Sequence, residues 1–132
     1  MLFWTQQDSS PVNLLPYLVV DQERNLVMVR EDGLKDRLCH DCSDEDLALL
    51  RASMVQWEPL SSPATPVQTT VERWGRIPRA YIECLQDRSL SPAIQRAMYL
   101  AQPCEQVLSL DAGHMAMITA PQALAKHLLA LA

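Results

Sequence analysis

Two short β-branched runs, residues 17–20 and 26–29, flank the polar segment 21–25, a pattern that predicts a hairpin with a longer loop. Such a hairpin is too short to be stable alone and must pack on something. Residues 33–38 suit a short helix. Ser43 then offers an N-cap, and Asp44, Glu45 and Asp46 fill a first turn where acids complement the helix dipole. Glu45 falls two residues after Ser43, so a full capping box is not expected. Leu47, Leu50, Met54 and Trp57 recur at helical spacing and predict a helix over about 44–55.

Pro59, Pro63 and Pro66 lie in a Ser/Thr/Ala stretch that reads as an extended connection and as the best internal boundary. Beyond it the pattern changes. Residues 79–85 predict a strand, 86–91 a polar turn, and Pro92 opens a helix to about Ala101 with Ser91 as N-cap. Residues 106–110 predict a second strand and 111–114 a loop. Pro121 opens a last helix with Leu124, Leu128 and Leu131 on one face. Strand, helix, strand, helix at this spacing is the signature of a parallel sheet with packed helices, so the fold class is α/β.

Composition narrows the function. The formal net charge of −5 argues against nucleic acid and against an anionic membrane surface, both of which attract basic patches. No apolar run reaches the roughly 20 residues that span a bilayer. The start, Met1-Leu2-Phe3-Trp4, has no basic n-region, so a cytoplasmic protein is expected. The four cysteines, Cys39, Cys42, Cys84 and Cys104, are then expected as reduced thiols.

Catalytic groups in parallel sheets gather at the carboxyl ends of strands. Asp87 follows the first strand and His114 the second. Acid before histidine is the chain order of an α/β-hydrolase triad, in which a histidine takes a hydroxyl's proton and a buried carboxylate fixes its tautomer. Gly113 would let the chain turn tightly beside the histidine. On spacing alone, Asp87 is equally a turn or capping residue, and His114 an incidental loop histidine.

Resemblance adds to this. The stretch IPRAYIECLQDRSLSPAIQRAM (residues 77–98) resembles the segment around the triad acid of plant methyl esterases and hydroxynitrile lyases. LDAGHMAMITAPQALAKHLLALA (residues 110–132) resembles the segment around their histidine. HDCSDEDLALL and EPLSSPATPV resemble the end of that family's helical cap and the return to its core. The resemblance implies a partial α/β-hydrolase fold. Residues 1–60 would be cap-like, with hairpin and helices, 61–76 the connection, and 77–132 the β-α-β-α end of the core. It implies Asp87 as triad acid and His114 as triad base. The lyases tend to place lysine after this histidine; Met115 stands here, which favours ester hydrolysis.

The family's nucleophile sits in a G-x-S-x-G elbow. The only glycines are Gly33, Gly75 and Gly113, and no pair of them flanks a serine. The oxyanion donors that accompany the elbow are missing with it. Ser89 and Ser91 fit a helix start better than a substitute nucleophile. The expectation is therefore the carboxy-terminal fragment of a carboxylic-ester hydrolase, inactive alone. The alternative is a non-catalytic small-ligand-binding or interaction protein built on that fold.

Met115, Met117 and Trp57 are the candidate substrate-pocket residues, although such side chains are more often core. Cys39-His40-Asp41-Cys42 is a rival constellation for zinc or redox chemistry. It lacks a second ligand pair, and buried packing of its cysteines is the expected reading. No cofactor and no metal is expected. The expected ligand is a small ester or acid. A parallel sheet of two strands leaves edges and faces open, so a homodimer or higher oligomer is expected.

Overall fold

β1 (Leu18–Asp21) and β2 (Leu26–Val29) pair antiparallel, with Leu18 opposite Val29 and Asp21 opposite Leu26, in a computed structural model that describes residues 13–61 and 65–132. Trp4 and Pro63 lie outside the described residues. Between the strands Asp21 Oδ1 accepts the Arg24 N–H (3.0 Å). Asn25 adopts φ 55°, a left-handed conformation that asparagine tolerates. The support the hairpin requires includes a third strand, β3 (Glu58–Pro59), antiparallel to β2.

α1 (Glu31–Gly33) runs directly into a π-helical turn, Leu34–Leu38. Leu34 and Leu38 point into a core cluster with Cys39, Cys42, Leu47 and Leu50. α2 (Asp44–Ser53) closes that cluster. Its start corrects the sequence reading: a capping box is present. Ser43 Oγ accepts the Asp46 N–H (3.1 Å) and Asp46 Oδ2 accepts the Ser43 N–H (3.2 Å). The shorter aspartate at the third helical position reaches back as glutamate usually does. α2 ends two residues early. Met54 turns extended with ψ 139°, so Trp57 leaves the helical face on which its spacing put it.

The thiol expectation is also corrected. The chain bends after the π-helical turn and brings the Cα atoms of Cys39 and Cys42 within 5.0 Å, and the two form a disulfide. Both are buried in the cluster, while Cys84 and Cys104 are free.

The carboxy-terminal part follows its pattern closely. β4 (Ala80–Cys84) and β5 (Gln106–Leu110) are parallel, in register from Ala80 opposite Gln106 to Cys84 opposite Leu110. α3 (Pro92–Ala101) joins them, with Ser91 Oγ accepting the Ile94 N–H. α5 (Pro121–Leu131) follows β5. A short helix unforeseen in the pattern, α4 (Ala116–Thr119), stands between. Leu110, Ala112 and Ala116 form a second cluster, packed with Ile82, Cys84, Ala120 and Leu124. No helix among the described residues is long and apolar enough to cross a membrane.

Candidate active site

The turn after β4 carries Asp87, and the loop after β5 carries His114. The two turns are tied by backbone: the Leu85 N–H donates to Leu110 O (2.9 Å) and the Gln86 N–H to Ala112 O (3.0 Å). Parallel pairing therefore continues past the strand ends and sets the two side chains side by side. His114 Nδ1 lies 2.9 Å from Asp87 Oδ2. The other carboxylate oxygen, Oδ1, accepts the N–H groups of Ser89 (2.7 Å) and Leu90 (2.8 Å). The Asp87 side chain is 5% exposed and that of His114 35%. A buried carboxylate locked by two amides thus holds one ring nitrogen of an imidazole that remains open to solvent.

Gln95 fixes the end of β4 beneath this pair. Its Oε1 accepts the Cys84 N–H (2.9 Å), and its Nε2 donates to Cys84 O (3.0 Å) and Leu90 O (2.9 Å). These bonds satisfy the last residue of β4 on groups that β5 does not use, and they hold the loop that supplies the amides to Asp87. Sequence reasoning missed Gln95 because a glutamine within a helix ordinarily faces water; here it is 2% exposed.

Asp41, inside the disulfide loop, reaches the same region. Its Oδ2 accepts the Gly113 N–H (2.7 Å) and the Thr119 hydroxyl (3.0 Å). Gly113 does not adopt a left-handed φ. Its value is room, not turning freedom: a Cβ there would lie 2.5 Å from Asp41 Oδ1. His40, the neighbour of Asp41, is mostly buried, and its Nδ1 has no hydrogen-bond partner. Its pKa is lowered, first by burial and then by the Arg88 charge, against the opposing pull of Asp41 and Asp87.

The remaining candidates are scattered. Met115 is half-buried against the Cys39–Cys42 cluster with Ile118. Met117 is largely exposed and Trp57 half-buried. Surface depressions lined by Arg30, Glu31, Asp32, Lys35 and Arg51, and by Thr70, Arg73, Trp74 and Ile77 among others, involve none of the three, nor Asp87 or His114. Ser91 is buried and committed to capping α3. The Cys84 thiol is pushed up by burial, then by Asp87 and Asp41, so it is held protonated rather than as a nucleophilic thiolate. With Cys39 and Cys42 joined, neither sulfur is free as a thiolate ligand.

Comparison with known proteins agrees with this fold. No family model matches the chain. Norfluorocurarine synthase 1 of Strychnos nux-vomica is 28% identical over 128 residues, covering 92% of this chain and 47% of that protein. Salicylic acid-binding protein 2 of Nicotiana tabacum is 32% identical over 123 residues, covering 89% of this chain and 46% of that protein. Tomato methylketone synthase I, solved with 2-tridecanone, superposes with a TM-score of 0.75 at 21% identity, over 98% of this chain and 50% of its own. The fold is that of the α/β-hydrolase superfamily. Within it, the chain corresponds to the carboxy-terminal portion of hydrolases of the plant methylesterase kind. It spans less than half the length of the two curated relatives above.

Proposed function

We propose that Asp87 and His114 are the acid and general base of a carboxylic-ester hydrolase site whose hydroxyl nucleophile this sequence does not contain. The observation that carries the reading is the 2.9 Å contact between His114 Nδ1 and a buried Asp87 carboxylate. A proton on Nδ1 would be held by Asp87, leaving Nε2 unprotonated and free to accept a proton from a hydroxyl. Asp87 and His114 supply an acid and a base, but not the activated hydroxyl on which a serine-type acyl-enzyme forms. Loss of a triad nucleophile costs roughly a millionfold in rate.

Two measurements test this. Nitrogen-15 NMR of the imidazoles should give His114 as the Nδ1–H tautomer, and Asp87→Ala should convert it to a mixture. An unchanged tautomer in that variant would remove the acid from its role. Hydrolysis of methyl benzoate, an unactivated ester that a lone imidazole does not cleave appreciably, should stay at the level of His114→Ala. Turnover that disappears in His114→Ala would show that a nucleophile is present after all.

A second reading is small-ligand binding without catalysis. It is favoured by one relative's name, a salicylic acid-binding protein. Saturable binding of salicylate, unchanged by Asp87→Asn, would support it. Absence of binding at millimolar salicylate would count against it.

A further inference from the structure

We propose that Asp41 is a positioning residue for His114, acting through the backbone of the loop that carries the histidine; the inference rests on reading Asp87 and His114 as an acid–base pair. One oxygen of Asp41 holds two groups that bracket His114 in sequence, the Gly113 N–H (2.7 Å) and the Thr119 hydroxyl (3.0 Å). Both bonds cross long stretches of chain, with separations of 72 and 78 residues, so they fasten two otherwise remote segments. A buried or half-buried N–H bonded to a carboxylate makes a charge-assisted contact, stronger than a neutral one.

The surroundings specify the same arrangement. Gly113 leaves the space the carboxylate occupies, since a Cβ would approach Asp41 Oδ1 to 2.5 Å. The disulfide between Cys39 and Cys42 closes the short loop from which Asp41 projects. Met115 and Ile118, in the same bracketed segment, pack against the cluster that contains both cysteines. The polar bond and the apolar contact thus act on the segment from the same side. Among the described residues His114 has one side-chain bond, to Asp87, and Asp41 fastens the backbone next to it beyond the reach of the strand pairing. The Cys-His-Asp-Cys motif, first weighed for its thiols, presents its carboxylate instead.

The test reads the tautomer of His114 by nitrogen-15 imidazole NMR, with His114→Ala identifying the signal among the three histidines. Asp41→Ala should lower the ratio of Nδ1–H to Nε2–H roughly tenfold, the change expected when one hydrogen bond is disturbed. Asp41→Asn, which can still accept the Gly113 N–H, should restore the wild-type ratio. Gly113→Ala should reproduce the loss by displacing the carboxylate. The double variant Asp41→Ala/Gly113→Ala should be no worse than Asp41→Ala alone, because the clash has no partner left. If Asp41→Ala does not fold, Asp41→Asn and Gly113→Ala decide the matter. A wild-type ratio in Gly113→Ala, or in folded Asp41→Ala, would overturn the proposal. Asp87→Ala separates the two levels: a tautomer unmoved there sinks the acid–base reading itself, whereas one moved by Asp87→Ala but not by the Asp41 and Gly113 variants sinks only the positioning role.

Discussion

At the scale of single residues, His40 sets a pH dependence on stability. Burial and the Arg88 charge lower its pKa, so the folded chain binds this proton less tightly than the unfolded chain does. The unfolded chain takes up the proton near its ordinary value of about 6.5. Stability is therefore complete above that value and is lost as pH falls from there toward the lowered folded value. His40→Gln removes the titration. Its melting temperature should fall less than that of the wild type between about pH 7 and about pH 5. Equal slopes for the two proteins would contradict the assignment. Asp41 lies next in sequence, but its carboxylate is engaged by Gly113 and Thr119, and His40 Nδ1 is 3.9 Å from its other oxygen. His40 thus sits near negative charge without a bond to it, so burial outweighs attraction.

At the scale of elements, the end of β4 depends on a side chain from α3 in place of a neighbouring strand. Gln95→Leu would leave the Cys84 N–H and the Leu90 carbonyl without their partner, and the Cys84 carbonyl with only the longer bond from the Asp87 N–H (3.4 Å). The expected cost is about 2–4 kcal/mol, read from urea denaturation. A loss below about 0.5 kcal/mol would mean that water replaces the glutamine there. The elements around this contact were legible: Pro92 after Ser91 marked the start of α3, and the short runs 79–85 and 106–110 between turns marked both strands. What the pattern could not supply was the direction of Gln95 or the partner of Asp41, since both depend on which distant turns meet. The order of Asp87 and His114 pointed to their roles, while their contact had to come from the parallel register. The disulfide is not legible in the sequence, because it depends on the bend that brings the Cα atoms of Cys39 and Cys42 within 5.0 Å. Thiol titration in denaturant without reductant should detect Cys84 and Cys104 alone, and all four cysteines after reduction. Four thiols before reduction would restore the original expectation.

At the scale of the whole molecule, the two-stranded sheet leaves surface that parallel strands normally bury. Among the described residues β4 and β5 pair only with each other. Val107 on β5 is 43% exposed, and Leu128 and Leu129 on α5 are 54% and 78% exposed. Parallel sheets are ordinarily covered on both faces, and an unpaired strand edge offers a row of amides and carbonyls to another chain. The occupant we propose is a second copy of this chain, joined by edge pairing that extends the sheet. Sedimentation velocity at micromolar concentration should then show a dimer or larger species. Leu128→Lys/Leu129→Lys distinguishes the route. Association through the sheet edge survives that double substitution, whereas association through the face of α5 is lost with it. A strictly monomeric wild type would refute self-association by either route, and the exposed strand edge would then be tolerated without a partner.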